Sequence, residues 1–190
     1  MSPVATFRAG PRAAAALVAA ALLVVPLGAQ TAPSGTPPGG DPAAEPFGGT
    51  FLFRPSESPT MEDVVDRGVS LVKSWYKRPF ARGRIAEVNQ AYEWMQIFPS
   101  SNAVRVSTPA WSLDIPRDGS LAWARGPGDT VDVTMRWTGE AWVHRLEADD
   151  GTRVNRYVLG PDGARLTLHV TITSDQLSGP LEYDLVYRRR

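Results

Sequence analysis

The second half of the chain alternates between apolar and polar residues with a period of two. Residues 131–137, 166–172 and 181–187 place apolar side chains at every second position, with mostly polar residues between them. This alternation is typical of a β-strand with one buried face. Turn sequences rich in glycine, proline and aspartate, such as residues 149–151, separate the alternating stretches. From Ala91 onward the pattern therefore predicts consecutive antiparallel hairpins.

A helical period precedes the strands. Thr60 is a favourable helix N-cap, and Asp63 follows three residues later, as in a capping box. Pro79 is expected to end this first helix, because proline lacks an amide hydrogen and disfavours the helical conformation of the residue before it. A shorter second helix is predicted over roughly 80–88. One face of the first helix carries apolar side chains at i, i+4, i+7 and i+11, namely Val65, Val69, Val72 and Tyr76.

These elements predict a mainly β fold, an antiparallel up-and-down β-barrel. A short strand at 48–53 comes first, a helical hairpin follows it, and further strands complete a barrel of about 8–10 strands. A sheet with one apolar face buries that face by curling on itself, and closure removes the exposed strand edges. The helical hairpin, inserted after the first strand, is expected to cover one open end of the barrel.

The N-terminus has the features of a secretory signal peptide. Arg8 and Arg12 form a positive region, residues 13–25 are uninterrupted apolar, and small residues precede a cleavage point after Ala29. The apolar run is shorter than the ~20 residues of a membrane-spanning helix. We therefore expect residues 1–29 to direct export, to the periplasm or the extracellular space, with an uncleaved anchor as the alternative.

Residues 30–47 are predicted to be a disordered linker. They hold five prolines and little hydrophobic surface, so they cannot bury enough apolar area to offset the entropy of ordering them. Residues 48–190 remain as a single barrel domain, which is long enough to build a hydrophobic core without disulfides.

Composition and motifs exclude several classes of function. The chain has 190 residues, of which 20 are basic, 20 are acidic and none is cysteine. A net charge of zero lacks the basic character of a general nucleic-acid binder. Without cysteine there is no disulfide framework, thiolate nucleophile or iron–sulfur cluster. No nucleophile elbow, zinc-protease motif, phosphate-binding glycine loop or EF-hand loop occurs. We therefore expect neither an enzyme nor a bound cofactor.

The two histidines are not expected to bind a metal. A two-residue turn at Thr138-Gly139 would place His144 on the inward face together with Trp137. His169 alternates with the apolar set that includes Leu168, so it should face solvent. A third strand separates the two histidine strands, which is too far for a shared metal ion. Trp137, His144 and Leu168 are thus predicted to line the interior, and no metal site is predicted.

One arginine after the turn at 149–151 is predicted to enter the barrel. If Val154 faces inward, Arg156 does too; if Tyr157 faces inward, Arg153 does, and the turn does not decide between them. A guanidinium inside an apolar barrel needs a partner, and a ligand carboxylate or phosphate would serve. The alternative is a surface arginine paired with a carboxylate of a neighbouring strand.

The predicted helical hairpin carries an excess of positive charge. Six basic residues and no acidic residue lie between Asp66 and Glu87. On a lid beside the barrel mouth, this charge would attract anionic amphiphiles or an anionic membrane surface. The alternative is a solvated helix face without a binding role. The residues predicted to form this basic patch at the portal are Lys73, Lys77, Arg78, Arg82 and Arg84.

The order of elements resembles the calycin group, in particular lipocalin-like and intracellular fatty-acid-binding barrels, in which a helix-turn-helix caps the mouth. Residues 147–187, which include DGTRVNRYVLGPDG, also resemble the C-terminal half of small exported bacterial lipocalin-like proteins of unassigned role. Two positions depart from these families. The lipocalin G-x-W reads Gly49-Thr50-Phe51, and the fatty-acid-binding R-x-Y of the last strand is replaced by Leu185-Val186-Tyr187.

The residues and the resemblance together lead us to expect an exported, non-enzymatic barrel that binds a small apolar or amphiphilic ligand, including anionic lipid-like molecules. The alternative is a cavity-less barrel that acts as an envelope-associated interaction module; a small-molecule enzyme on such a barrel ranks below both. The predicted ligand-binding residues are Trp137, His144, Arg153, Arg156, Tyr157, Leu168 and Tyr187.

Overall fold

A computed structural model describes residues 45–126 and 129–190. The predicted signal peptide and the linker up to residue 44 lie outside these ranges. Two helices follow the first of ten strands, as predicted: α1 is Met61–Leu71 and α2 is Arg78–Val88. The strands are β1 Gly49–Phe53, β2 Trp94–Pro99, β3 Ala103–Ser107, β4 Ser112–Pro116, β5 Ser120–Gly126, β6 Asp129–Trp137, β7 Ala141–Ala148, β8 Gly151–Leu159, β9 Arg165–Ser174 and β10 Leu181–Arg189.

The ten strands form one antiparallel sheet that curls into a nearly closed barrel. Its order is β4-β3-β2-β1-β10-β9-β8-β7-β6-β5, so consecutive strands are neighbours and the first strand pairs with the last. Phe51 of β1 lies opposite Arg189 of β10 in this pairing of the first and last strands. The sheet order leaves β4 and β5 at its two ends, where the described residues form no strand ladder. The predicted up-and-down barrel is confirmed.

The barrel interior is filled by the inward-facing residues of the alternating strands. In β9 the buried positions are Leu166, Leu168, Val170 and Ile172, as the period of two predicts. Aromatic side chains supply much of the packed volume: Phe51, Trp142, Tyr157 and Tyr187 are all fully buried.

The first helix starts where predicted but ends earlier. The Thr60 side chain accepts a hydrogen bond from the amide of Asp63 at 3.1 Å, which caps α1. The helix ends at Leu71, not at Pro79, because Val72 leaves the helical conformation and forms a β-bridge with Leu177. Pro79 instead lies in the first turn of α2, where its missing amide hydrogen costs nothing.

The helical pair forms a lid, which we define as residues 61–88. Backbone hydrogen bonds tie its middle to the loop between β9 and β10: the amide of Lys73 donates to the carbonyl of Gln176, and the amide of Ser178 donates to the carbonyl of Leu71. The Arg67 guanidinium donates to the carbonyl of Glu182 at the start of β10. These contacts hold the lid over the end of the barrel where β10 begins.

The first described residues pack against the barrel. Glu45–Phe47 form a single turn of 3-10 helix, and Phe47 is buried with its ring 5.4 Å from that of Trp137. Arg189 donates hydrogen bonds to the carbonyls of Gly48, Pro46 and Gly163. Pro46 and Phe47, which the sequence assigns to the linker, therefore contact the barrel.

We expect Gly83→Ala to stabilise the fold by about 0.5–1 kcal/mol, because glycine is unfavourable inside a helix. Gly83 lies in α2, and an added methyl group would meet no atom within 4 Å. Gly68→Ala in α1 is the control: its methyl group would lie 2.9 Å from Cγ2 of Ile85, so the gain should be absent there. Urea unfolding measures both, and an equal gain at the two positions would contradict the packing described.

Candidate functional site

A cavity lies between the lid and the open end of the barrel. Its volume is about 90 Å³. The lid contributes Val72, Ala81 and Ile85, and the barrel wall contributes Val131, Leu146 and Ile172. Pockets for drug-sized ligands usually measure ~300–1,000 Å³. With the lid in this position, the cavity therefore accommodates a short apolar chain and not a long one.

Arg153 brings a guanidinium to the wall of this cavity. The side chain is half-buried on β8, and it bonds to uncharged oxygens in its surroundings. Nη1 donates to the carbonyl of Val88 at 2.7 Å, and Nε donates to Oδ1 of Asn155 at 2.9 Å. Longer bonds reach Oδ1 of Asn89 and the hydroxyl of Tyr183. These contacts fix the guanidinium between β8, β10 and the C-terminal end of α2.

The positive charge of Arg153 has no carboxylate partner within ion-pair distance among the described residues. The carbonyl of Val88 belongs to the last turn of α2, where the helix dipole favours a cation. An arginine has five N–H donors, and the four hydrogen bonds above leave one of them directed elsewhere. The guanidinium can therefore support the lid and still donate a hydrogen bond to an anionic group in the cavity that it lines.

The structure decides the register that the sequence left open. Arg153 pairs with Leu146 and Tyr157 pairs with Trp142, so both side chains of β8 face inward. Arg156 faces outward, where Nη2 lies 3.4 Å from Oε2 of Glu140. The prediction of an interior arginine is thus met by Arg153, while Arg156 matches the surface alternative and cannot contact an interior ligand.

His144 is fully buried beside the arginine network, facing inward as predicted. Its Nδ1 lies 3.4 Å from both the hydroxyl of Tyr157 and Nδ2 of Asn155, two groups that can donate to it. Burial, with a smaller contribution from the charge of Arg153, lowers the pKa of His144 from its ordinary value of 6.5 to about 3. The imidazole is therefore neutral, and its proton is assigned to Nε2, which has no hydrogen-bond partner among the described residues.

Desolvation also raises the pKa of three buried or partly buried tyrosines. Burial raises the pKa of Tyr157, and the charge of Arg153 opposes the rise only in part. Burial raises the pKa of Tyr187 as well, and that of Tyr92, whose hydroxyl accepts a 3.1 Å hydrogen bond from Nε1 of Trp111. All three hydroxyls stay protonated at neutral pH. They are hydrogen-bonding groups here, not bases.

Most residues predicted to contact a ligand fill the opposite half of the barrel. Trp137 packs edge-on against Phe47 and 5.5 Å from the ring of Trp142. The half-barrel remote from the lid is packed with side chains, because the largest aromatic residues converge there. Four of the predicted residues belong to this packed half, and, like His144, they do not line the cavity: Trp137, Tyr157, Leu168 and Tyr187. Only Arg153 does.

The basic patch is divided by the structure. Nη1 of Arg82 forms a short ion pair with Oδ1 of Asp66, and Glu62 lies 3.8 Å from the same guanidinium, so α1 supplies counter-charges for α2. Lys77 and Arg84 line the cavity. Lys73, Lys77 and Arg78 bond to carbonyl or amide oxygens and form no ion pair among the described residues. The run of six basic residues is therefore partly neutralised, a pairing across helices that a linear charge count misses.

Two polar residues of the site were missed by the sequence analysis. Asn89 ends α2: its Nδ2 donates to the carbonyl of Ile85 at 2.7 Å, and its Oδ1 accepts from the hydroxyl of Tyr183. Tyr183 stands in the inward set of β10, between Leu181 and Leu185. The available signals were an asparagine just after a helix, which is a common C-terminal residue, and a hydroxyl placed on an apolar face.

Two features are absent from the described residues. No group of three histidine, aspartate or glutamate side chains there could hold a metal ion. No helix in the same ranges is long and apolar enough to cross a membrane.

Comparison with solved structures identifies the architecture. A secretory abundant heat soluble (SAHS) protein from Ramazzottius varieornatus is 7% identical, with a TM-score of 0.51 over 77% of this chain and 96% of that chain. The Schistosoma mansoni fatty acid binding protein in complex with arachidonic acid gives 14% identity and a TM-score of 0.47 over 78% and 98%. Human cRBP IV is 10% identical, with a TM-score of 0.47 over 75% of this chain and 97% of that chain.

No family model matches the chain, and no curated protein matches its sequence. The strand order, the inserted helical pair and the match to the SAHS structure together establish the fold, an antiparallel β-barrel with a helical pair after its first strand.

Proposed function

We propose that this protein is a non-enzymatic barrel that binds a small amphiphilic molecule beneath the lid. The apolar part of the ligand occupies the cavity, and an acidic head group contacts Arg153. The observation that carries the proposal is a half-buried guanidinium at the wall of an apolar cavity with no carboxylate partner among the described residues. A ligand carboxylate would supply the missing negative charge. The charge-assisted hydrogen bond between guanidinium and carboxylate is strong in this environment, because the dielectric constant is low there.

The cavity volume defines the class of ligand. About 90 Å³ is too small for a long acyl chain, so we propose a carboxylic acid with a short or medium apolar chain. Affinity should rise from butyrate to octanoate as apolar surface is buried, at ~0.8 kcal/mol per methylene group. It should stop rising when the chain exceeds the cavity beneath the closed lid. Palmitate would require the lid to move away from the loop between β9 and β10.

Filling the cavity should remove this binding. Ala148 lines the cavity wall, and Ala148→Phe would occupy its space. We expect octanoate affinity, measured by titration calorimetry, to fall at least about tenfold, since each 1.4 kcal/mol lost is a factor of ten. Ala122→Phe on the exposed face of β5 is the matched control and should bind as the wild type does. Undiminished binding in folded Ala148→Phe would place the ligand elsewhere.

A second candidate is an interaction module with a filled barrel. The dense packing of Trp137, Trp142, Tyr157 and Tyr187 in the half remote from the lid favours it. Failure of the wild type to bind any member of the carboxylate series would support this candidate over the first.

We also propose that the protein acts outside the cytoplasm. The support is the sequence of residues 1–29, with its positive start, its apolar run and its small residues before the cleavage point. Mass spectrometry of the protein purified from its own cells tests this, because an exported and processed chain should begin near Gln30.

A further inference from the structure

Lys77 brings a second positive charge to the cavity wall. The residue directly precedes α2, and it lines the cavity together with Arg153. Nζ of Lys77 donates to Oε1 of Gln176 at 3.1 Å, which is a partly buried contact with an uncharged amide. An ammonium group has three N–H donors, and this bond occupies one of them. Like Arg153, Lys77 therefore lines the cavity without a carboxylate partner among the described residues.

The other charged side chains of the cavity wall do not neutralise these two cations. Among the described residues they are Arg84 and Asp150. Both have partners within the fold, and their charges are opposite in sign, so together they add no net charge. The described wall therefore carries an excess of two positive charges, from Lys77 and Arg153. A ligand with one carboxylate neutralises only one of them.

The two cations lie at opposite ends of α2. Arg153 is bonded to the carbonyl of Val88, the last residue of the helix, while Lys77 stands just before its first residue. A helix of 11 residues is about 16 Å long, at a rise of ~1.5 Å per residue. A single carboxylate or phosphate group is far smaller than this and cannot contact both cations. Between them, Ala81 and Ile85 of the same helix line the cavity with apolar surface.

We infer that the cavity selects ligands with an acidic group at each end of an apolar chain, with one carboxylate at Arg153 and the other at Lys77. The inference rests on the proposed function, because it adds a second acidic group to the same ligand. Each carboxylate forms a charge-assisted hydrogen bond with its own cation, and the chain between them follows the apolar face of α2. Lys77 is then the residue that distinguishes a dicarboxylate from a monocarboxylate, because a second charge against an apolar wall would be costly.

Suberate and octanoate isolate the second carboxylate, since both have eight carbons and differ only at one end. In titration calorimetry, the wild type should bind suberate at least as tightly as octanoate. Lys77→Gln should weaken suberate binding about fivefold, the effect of an ion pair worth ~1 kcal/mol at a partly exposed site, and change octanoate binding at most about twofold. Lys73→Gln is the matched control, because Lys73 bonds to the carbonyl of Asp175 and does not line the cavity. It should change neither affinity.

Octyl phosphate separates the position of the negative charge from its amount. It carries roughly 1.5–2 negative charges at pH 7, all of them at one end. Its head group should bind at Arg153, so Lys77→Gln should change its affinity at most about twofold at physiological salt, where exposed charges are screened. If Lys77→Gln weakened octyl phosphate as much as suberate, Lys77 would act by general attraction of anions, and the inference would be overturned.

The length of the chain gives a second readout. Across the dicarboxylates from glutarate to sebacate, wild-type affinity should pass through a maximum, because both ends of the ligand are fixed by cations on different parts of the fold. Lys77→Gln should abolish the maximum, since one end is then free. A maximum of unchanged height and position in this variant would assign the second carboxylate to another group and contradict the role of Lys77.

The same titrations distinguish failure of this inference from failure of the proposed function. Wild-type binding of octanoate, with weaker binding of suberate, would overturn the inference and leave the proposed function intact. Equal losses of suberate and octanoate in Lys77→Gln would also overturn it, because Lys77 would then only hold the lid through its bond to Gln176. Failure of the wild type to bind either acid would overturn both.

Discussion

Arg153→Gln is expected to weaken the binding of octanoate about a hundredfold while it changes the binding of octanol about threefold at most. The reason is that a hydrogen bond to a charged group in a partly buried site is worth ~1.5–3 kcal/mol, and octanol carries no charge for the guanidinium to neutralise. Titration calorimetry of both ligands against both proteins gives the comparison. The ratio of the two losses, not the loss for octanoate alone, is the informative quantity.

The affinity losses for octanoate and octanol must be compared, because Arg153 also supports the lid. Its bond to the carbonyl of Val88 joins β8 to the end of α2, so its replacement could loosen the cavity for every ligand. Equal losses for octanoate and octanol would show that the residue acts only as a support and would contradict its role as an anion-binding group. Arg156→Gln, three residues along the same strand but on the outer face, is the control and should change neither affinity.

The free energy of unfolding should fall by about 2 kcal/mol between pH 7 and pH 5 because of His144 alone, at ~1.4 kcal/mol per pKa unit. The pKa of His144 is about 3 in the fold, against an ordinary value of 6.5 that the unfolded chain recovers. Between these values the unfolded chain binds more protons than the folded one, so acid favours unfolding. The stabilisation is complete above pH 6.5 and decreases as the pH falls towards 3.

Urea unfolding of His144→Gln at the same two pH values isolates this contribution, because glutamine does not titrate. The variant should lose about 2 kcal/mol less than the wild type on acidification, by the same linkage. His169→Gln removes the other histidine, which pairs with Asp184 on the outer face, and should retain the loss that His144 causes. An unchanged pH dependence in His144→Gln would mean that the imidazole is hydrated or paired, contrary to its complete burial.

The sequence predicts inward and outward positions well where a short turn determines the register. The two-residue turn predicted at Thr138-Gly139 lies one residue later, at Gly139-Glu140, where the amide of Thr138 donates to the carbonyl of Ala141 and Trp137 pairs with Trp142. The pairing is thereby shifted by two residues, which keeps the same side chains on the inner face, so His144 lies inside as predicted. The sequence does not decide the orientation of β8, because the turn at residues 149–151 does not define which alternate side chains of β8 face inward. The choice is made by packing across strands: Tyr157 inward covers Trp142, while Arg156 inward would have left a charge in the most densely packed part of the barrel.

The position of the cavity could not be predicted from alternation. A period of two identifies interior residues but does not say how their volumes add up around a barrel. The largest of them, Trp142, Tyr157 and Tyr187, lie in the half remote from the lid, and space remains beneath the helices. For the same reason, the interior orientation predicted for Leu168 is correct although it does not line the cavity.

The lid shows how tertiary contacts override local signals. The apolar period through Val72 and Tyr76 predicts a helix that continues to Pro79, but the β-bridge from Val72 to Leu177 ends it at Leu71. That early end creates the exposed turn with Trp75. No local property of the residues indicates a pairing partner about a hundred positions away, so both the turn and its exposed aromatic residues are visible only in the structure.

The proposed function requires that an acidic amphiphile bind beneath the lid with its head group at Arg153. Nuclear Overhauser contacts between bound octanoate and the methyl groups of the protein test it directly. We predict contacts from the ligand chain to Val131, Leu146 and Ile172, which line the cavity, with the carboxyl end nearest Arg153. Contacts confined to Trp75, Tyr76 and Phe80 on the outer side of the lid, or no contacts at all, would contradict it.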